Sequence, residues 1–208
     1  MIQSFSRKTA VITGAGRMFC AGGDLGAFAA AGDDARRLLL EMAGGVRKGR
    51  KLKAVIPGGS SVPIQTMEEA EATLMDYEGF VAQGTMLGSG GVIIFDDAQS
   101  MPRMIARLAR FYAHESCAQC TQCREGTAWT TKILERIVAG QGTFEDLDTL
   151  LDLAENMTGK TICVLSDSCA APVVSGLQKF RHEFEALITG KRTSTVAVGG
   201  TTAAAVGA

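Results

Sequence analysis

Residues 117–123 read CAQCTQC, and REGT follows them directly. The spacing of Cys117, Cys120 and Cys123 places three thiols on one turning loop, where they can converge on a single centre. In a reducing compartment, cysteines crowded in this way are more typical of a metal or redox site than of a disulfide framework. This stretch therefore decides how the second half of the chain must fold, because a fourth ligand has to reach it from elsewhere.

Two later cysteines can supply that fourth ligand. Cys163 lies in KTICVL, between the predicted third and fourth helices, and Cys169 begins the predicted fourth helix in DSCAAP. Four cysteine ligands favour a [4Fe–4S] cluster. A structural zinc ion is one alternative, but zinc sites usually pair two ligands with two, and His114 and His182 do not stand at ligand spacing. Unligated thiols are the other alternative.

The surroundings of the triplet suit an anionic cluster. Arg124 follows the third cysteine, and free backbone N–H groups at the start of the next helix can point at sulfur. Arg124 is alternatively an ordinary surface residue paired with Glu125.

Four amphipathic segments with short connections predict a four-helix bundle over residues 98–190. Two of the segments flank the triplet, and glycines 140 and 142 end the second of them. The third begins with a capping-box pattern from Thr143 to Asp146. The apolar stripes contain Ile105, Leu108, Ala109 and Tyr112; Trp129, Ile133 and Ile137; Phe144, Leu147, Leu151 and Ala154; and Val173, Leu177, Phe180, Phe184 and Leu187.

The sequence pattern of residues 44–97 predicts a small unit of β-strands with one helix. Strands are expected at 53–56 and 92–95, with a helix at 67–75 between them. Upstream, residues 9–13 read as a strand and 33–42 as a helix. The tail at 191–208 lacks bulky residues and amphipathic period, so we expect it to be disordered.

Composition excludes several classes of function. The 21 basic and 22 acidic side chains nearly balance, which argues against a nucleic-acid partner. No apolar run approaches membrane-spanning length and no signal-peptide pattern begins the chain, so we expect a cytoplasmic protein without direct membrane insertion.

Several long motifs in residues 44–188 resemble one family. GGVRKGRKLKAVIPGGSSVP, GTMLGSGGVIIFDD, RLARFYAHESCAQCTQCREGT, GKTICVL and KFRHEFEALI follow one another as in the C-terminal half of the flavoprotein (51 kDa type) subunit of NADH:quinone oxidoreductase, respiratory complex I. The resemblance implies an α+β fold, with a ubiquitin-like, soluble-ligand-binding (SLBB) β-grasp domain at 44–97 and a helical domain at 98–190 that holds one [4Fe–4S] cluster.

The resemblance also implies a site and partners. The cluster ligands map onto Cys117, Cys120, Cys123 and Cys163, whereas Cys169 falls where a small residue is usual. The cluster would accept electrons singly from reduced flavin and pass them to other subunits of a complex, which can be peripheral to the inner membrane. The family's FMN and NAD site lies in an upstream domain marked by a GRGGAGFPTG-like loop, which is not found here. We therefore expect a partner to hold the flavin.

The first 43 residues resemble a different family. KTAVITGAGRMFCAGGDLGAF is similar to the crotonase (enoyl-CoA hydratase/isomerase) superfamily, in which a backbone N–H of the CAGGD turn, here near Ala21 or Gly22, forms half of an oxyanion hole. Residues 1–43 are thus expected to be a truncated α/β fragment fused to the rest. An acyl-CoA hydratase or isomerase is the alternative function that this implies.

Overall fold

The computed structural model describes residues 3–5, 9–13, 19–23, 46, 49–74 and 77–190. The helix expected at 33–42 and the tail at 191–208 lie outside these ranges, as does most of the crotonase-like segment.

The described strands form one antiparallel sheet of six strands in the order β1-β2-β3-β6-β4-β5. The strands predicted at 9–13, 53–56 and 92–95 are confirmed within one residue at each end. β4 and β6 are buried along most of their length, as apolar β-branched runs require. The strands are β1 Gln3–Phe5, β2 Thr9–Thr13, β3 Phe19–Gly23, β4 Leu52–Ile56, β5 Gln65–Thr66 and β6 Gly91–Asp96.

The stretch FCAGG is a strand, so the turn expected there is wrong. β3 lies between β2 and β6, with Ala21 opposite Val11 on one side and Val92 on the other. The backbone groups of a strand with two neighbours point alternately toward each of them. The N–H groups of Ala21 and Gly22 therefore face paired strands, and they are not presented together in an open turn.

The described part of the chain contains six helices, two of them between β5 and β6 and four after β6. They are α1 Met67–Ala72, α2 Tyr77–Ala82, α3 Met101–Glu115, α4 Thr121–Val138, α5 Phe144–Met157 and α6 Leu165–Ile188. The helix expected at 67–75 is shorter than predicted, because Thr73 is extended (ψ 129°) and its hydroxyl donates to the Glu69 carbonyl while accepting from Gln65. Within the described ranges, no helix combines the length and apolar character needed to span a membrane.

The four long helices α3 to α6 pack on one another and bury most of the predicted stripes. Trp129 and Phe144 are exceptions, since about half of each side chain stays exposed. The buried face of α4 instead uses small and hydroxyl-bearing residues, including Gly126, Thr127 and Thr130. A Cβ atom on Gly126 would lie 2.6 Å from Met157 Sδ, so this glycine allows α4 and α5 to approach closely.

The sheet is tied to α6 by polar bonds as well as by apolar packing. The Ile64 backbone N–H donates to Ser175 Oγ (2.9 Å), and Lys179 Nζ donates to the Ile64 carbonyl (2.8 Å). Lys53 Nζ lies 2.5 Å from Glu183 Oε1, while Glu183 Oε2 accepts the Met101 N–H at the start of α3 (3.0 Å). The sheet and the helices therefore share one polar network.

Candidate functional site

The cysteine triplet occupies the junction between α3 and α4. Cys117 is exposed in the connecting loop, Cys120 is the N-cap residue of α4, and Cys123 is buried in the first turn of that helix. Solvent exposure therefore decreases along the triplet, from the exposed Cys117 through Cys120 to the buried Cys123. Ser116 Oγ lies 3.3 Å from Cys123 Sγ and also accepts the Ala118 N–H (3.3 Å), so one hydroxyl connects the loop to the buried cysteine.

Arg124 fixes the path of this loop. Its Nη1 donates to the carbonyl oxygen of Ala118 (2.8 Å), and its Nε donates to Glu125 Oε1 (3.0 Å). Ala118 has φ +63°, a left-handed conformation that costs a non-glycine residue about 1–2 kcal/mol. The predicted surface pairing with Glu125 is therefore present, and the same guanidinium also holds a strained carbonyl between two of the cysteines.

Cys163 lies in the loop between α5 and α6 and is exposed. Its neighbours Ile162 and Val164 are 77% and 74% exposed, so apolar packing contributes little to its position. Thr161 Oγ1 donates to the Cys163 carbonyl (2.8 Å) and lies 2.6 Å from the buried Ser166 Oγ. Hydroxyl groups thus hold this loop against α6.

Cys169 is a core residue. It lies in the second turn of α6, because the helix begins at Leu165, four residues earlier than predicted. Its side chain is fully buried, and this burial raises the pKa of the thiol to about 12, with a further contribution from nearby Cys123. The Cys169 side chain is therefore part of the packed core of the helices.

The helix starts differ in how their N–H groups are satisfied. α1 and α5 each begin with a complete capping box, the second of which was predicted at Thr143. α3, whose N-cap residue is Ser100, has no side-chain cap, and neither have α4 and α6, whose N-cap residues are Cys120 and Val164. Uncapped first-turn N–H groups carry partial positive charge. The starts of α4 and α6 lie next to cysteines in the sequence, so they can stabilise an anionic group there.

The cysteine thiols suit a four-iron cluster better than a single zinc ion. All four candidate ligands are free thiols. In the described part of the chain, no three His, Cys, Asp or Glu side chains converge on one point, as a single zinc ion would require. A four-iron cluster binds one cysteine at each iron, so its ligands surround a volume and do not meet at a point. The thiol ligands and the uncapped starts of α4 and α6 fit such a cluster.

Comparisons with known proteins support the same assignment. Residues 103–187 match the family model described as NADH-ubiquinone oxidoreductase-F iron-sulfur binding region. The chain is 48% identical to the F subunit of NADH-quinone oxidoreductase from Streptomyces coelicolor, over 74% of this chain and 34% of that protein. It is 44% identical to the corresponding protein of Rickettsia rickettsii, over 76% and 38% respectively.

A solved structure is also similar. The crystal structure of an NAD+-reducing [NiFe]-hydrogenase in the H2-reduced state superposes with a TM-score of 0.64 and 30% identity, over 76% of this chain and 26% of that chain. The protein is therefore a mixed α and β protein that carries an iron–sulfur binding region. As the resemblance implied, the chain is similar to a segment of NADH-quinone oxidoreductase F subunits, and the match to the iron–sulfur binding region indicates a [4Fe–4S] cluster. The chain spans about a third of the length of these curated relatives.

Several residues of the site were not identified from the sequence. Ser116, Thr161 and Ser166 each bond to a cysteine segment or its neighbour. Hydroxyl residues are common in loops and helix starts, so their identity alone gave no signal. Only the fold shows that they meet the cysteines.

Proposed function

We propose that the chain transfers electrons through a [4Fe–4S] cluster, as a segment of an NADH:quinone oxidoreductase flavoprotein-type subunit. The observation that carries the proposal is the iron–sulfur family match over residues 103–187, a region that contains all four candidate cysteines. When bound, such a cluster supplies one-electron transfer.

Cys117, Cys120, Cys123 and Cys163 are the proposed ligands. The first three are supported by their spacing on one loop and the start of α4, and Cys163 by its exposed place before α6. Cys169 is left out of the set because it lies inside α6 with its side chain packed in the core of the helices, and the family resemblance places a small residue at this position.

The surrounding chain would orient and stabilise the anionic site. The uncapped N–H groups of α4 and α6 offer hydrogen bonds to sulfur, and Arg124 fixes the carbonyl of Ala118 so that the loop keeps its shape. Cys123 is buried and in contact with Ser116, so one side of the site excludes water. These features would favour rapid electron exchange with little rearrangement.

The finer architecture is part of the proposal. We assign residues 44–97 to an SLBB-like β-grasp domain and 98–190 to a four-helix domain that binds the cluster. The assignment is supported by the antiparallel β4 and β6 and by the mutual packing of α3 to α6. Residues 1–43 are assigned to a crotonase-like fragment whose strands extend the same sheet.

The partners follow from the relatives' names. These relatives are subunits of NADH-quinone oxidoreductases. We therefore propose that this chain works with other subunits of such a complex, at the periphery of the inner membrane. FMN and NAD would be held by a flavin-bearing partner that supplies the electrons.

Anaerobic purification of the full chain tests the function. We expect about four iron and four acid-labile sulfide per chain, as a four-iron cluster requires. Reduction with dithionite should produce an EPR signal that is absent in the oxidised protein. One zinc ion without sulfide would overturn the proposal in favour of a structural zinc site. The acyl-CoA alternative predicts hydration of crotonyl-CoA, and the pairing of β3 on both sides gives it no support.

A further inference from the structure

We propose that Thr161, oriented by the buried Ser166, is a positioning residue that sets the backbone of Cys163 for ligation. This inference rests on the proposed function, since it concerns the fourth ligand of the proposed cluster. It assigns a role to two hydroxyl groups that are not themselves ligands.

Apolar packing does not hold Cys163 in place. Cys163, Ile162 and Val164 are all exposed, so three consecutive side chains of this loop lack a buried contact. A ligand on such a segment would move unless polar bonds restrain its backbone. The bond from Thr161 Oγ1 to the Cys163 carbonyl is a restraint of this kind.

The two hydroxyl groups form a directed pair. Thr161 has a single hydroxyl hydrogen, and its bond to the Cys163 carbonyl uses that hydrogen. Ser166 is then the donor in the 2.6 Å contact with Thr161, and its one hydrogen is no longer available to the Met157 carbonyl or the Asp167 carboxylate. Hydrogen bonding therefore runs from Ser166 to Thr161 and on to Cys163. Removing either hydroxyl group interrupts this chain of hydrogen bonds.

Burial holds Ser166 in place on the other side of the site. Its side chain is fully buried, and its Oγ lies in contact with the carbonyl oxygen of Met157 at the end of α5, 3.2 Å away, while its hydrogen is donated to Thr161. The Met157 side chain packs against Gly126 of α4, three residues after Cys123. The helix that carries the triplet is thus connected, through Met157 and Ser166, to the loop that carries Cys163.

Selective loss of one iron tests the assignment. Ferricyanide takes one electron from [4Fe–4S]²⁺, which releases one Fe²⁺ and leaves [3Fe–4S]⁺ with its own EPR signal. A poorly positioned Cys163 should make the iron that it binds the easiest to lose. In the reconstituted full chain, we expect Thr161→Val and Ser166→Ala to form the three-iron signal faster, on the order of fivefold, which corresponds to one lost hydrogen bond.

Two matched variants make the test specific. Thr161→Ser keeps the hydroxyl and should behave as the unmodified chain does. Ser168→Ala removes a hydroxyl that donates to the Val164 carbonyl (2.7 Å) in the same helix turn, and should also leave the rate unchanged. Equal rates for Thr161→Val and the unmodified chain would overturn the assignment, as would an equal increase in Thr161→Ser or Ser168→Ala. A chain that holds no cluster at all would instead overturn the proposed function.

Discussion

Arg124 donates a hydrogen bond through Nη1 to the carbonyl oxygen of Ala118, 2.8 Å away, and so joins the first turn of α4 to the loop between Cys117 and Cys120. The same guanidinium forms an exposed ion pair with Glu125. The first contact restrains backbone with a strained dihedral angle, whereas the second joins two solvated side chains. The two contacts should therefore differ in their contribution to stability.

Arg124→Ala should lower the free energy of unfolding by about 1 kcal/mol, because it removes a hydrogen bond to the backbone. Glu125→Ala should change it by less than about 0.5 kcal/mol, as is usual for exposed ion pairs. Urea unfolding of both variants and of the double variant measures the difference. Equal losses in the two single variants would contradict the distinction between the contacts.

Ala118→Gly should stabilise the folded chain by about 0.5 kcal/mol. Glycine adopts φ +63° without the steric cost that alanine has, although it loses more backbone entropy on folding. Ala139→Gly is the matched control, since Ala139 has φ −78° and glycine should destabilise the chain there. Thermal unfolding would show shifts of opposite sign, and a loss of stability in both variants would refute the strain argument.

Cys163→Ser should abolish the four-iron cluster, while Cys169→Ser should retain it. The first change removes a proposed ligand, and the second alters a buried thiol whose pKa is about 12. Iron and sulfide content per chain, with the EPR signal after dithionite, measures the outcome. Cys169→Ala serves where a buried serine hydroxyl impairs folding. Loss of the cluster in both Cys169 variants, with retention in Cys163→Ser, would reverse the ligand assignment.

Lys53→Met should lower the free energy of unfolding by about 3 kcal/mol, because it leaves the Glu183 carboxylate buried without its cation. Adding Glu183→Gln removes that charge while keeping an acceptor for the Met101 N–H. The double variant should therefore be more stable than Lys53→Met alone. A double-mutant cycle in urea gives the coupling, and additive losses would show that the pair is not coupled.

Stability should fall in acid partly through Asp146. Burial raises the pKa of this carboxyl group, but hydrogen bonds from Arg136 and from Thr143 outweigh burial and hold the pKa below its usual value. The stabilisation is therefore complete above the unfolded pKa of about 3.9 and is lost as pH falls through the folded pKa. Asp146→Asn should flatten the loss of unfolding free energy between about pH 5 and pH 2. The same flattening in Asp148→Asn, a change at an exposed aspartate of the same helix, would contradict the assignment to Asp146.

Local chemistry predicted the parts of the fold that depend on neighbouring residues. The capping box at Thr143 and Asp146 was predicted because both partners lie within one helix turn. β3 was missed because FCAGG lacks β-branched residues, and its strand conformation comes from pairing with distant β6. Trp129 was wrongly predicted to lie on the buried face of α4. The buried face instead includes Gly126, whose contact with Met157 sets the spacing between α4 and α5. Such long-range fits leave no periodic signal in sequence.

In the cysteine site, too, the features that depend on neighbouring residues could be predicted, and those that depend on distant residues could not. The triplet could be predicted as a metal site from its spacing alone, because its three ligands lie on one short loop. The residues that hold Cys163 come from the junction of α5 and α6, and the bond between Thr161 and Ser166 becomes visible only when both are placed. The preference for Cys163 over Cys169 came from resemblance, and the packing of Cys169 among the core side chains of the helices agrees with it.

Helix α6 has a consequence for moving this site into another protein. The matched iron–sulfur region begins at residue 103, yet Ser175, Lys179 and Glu183 of α6 bond to Ile64, Lys53 and the N–H of Met101, outside that region. If the region were moved without the residues before 103, Glu183 and Lys179 would lose these partners and lie on a newly exposed face of α6. The smallest transferable piece therefore begins at β4 and runs through Met101 into the matched region, or carries new residues at these three positions of α6.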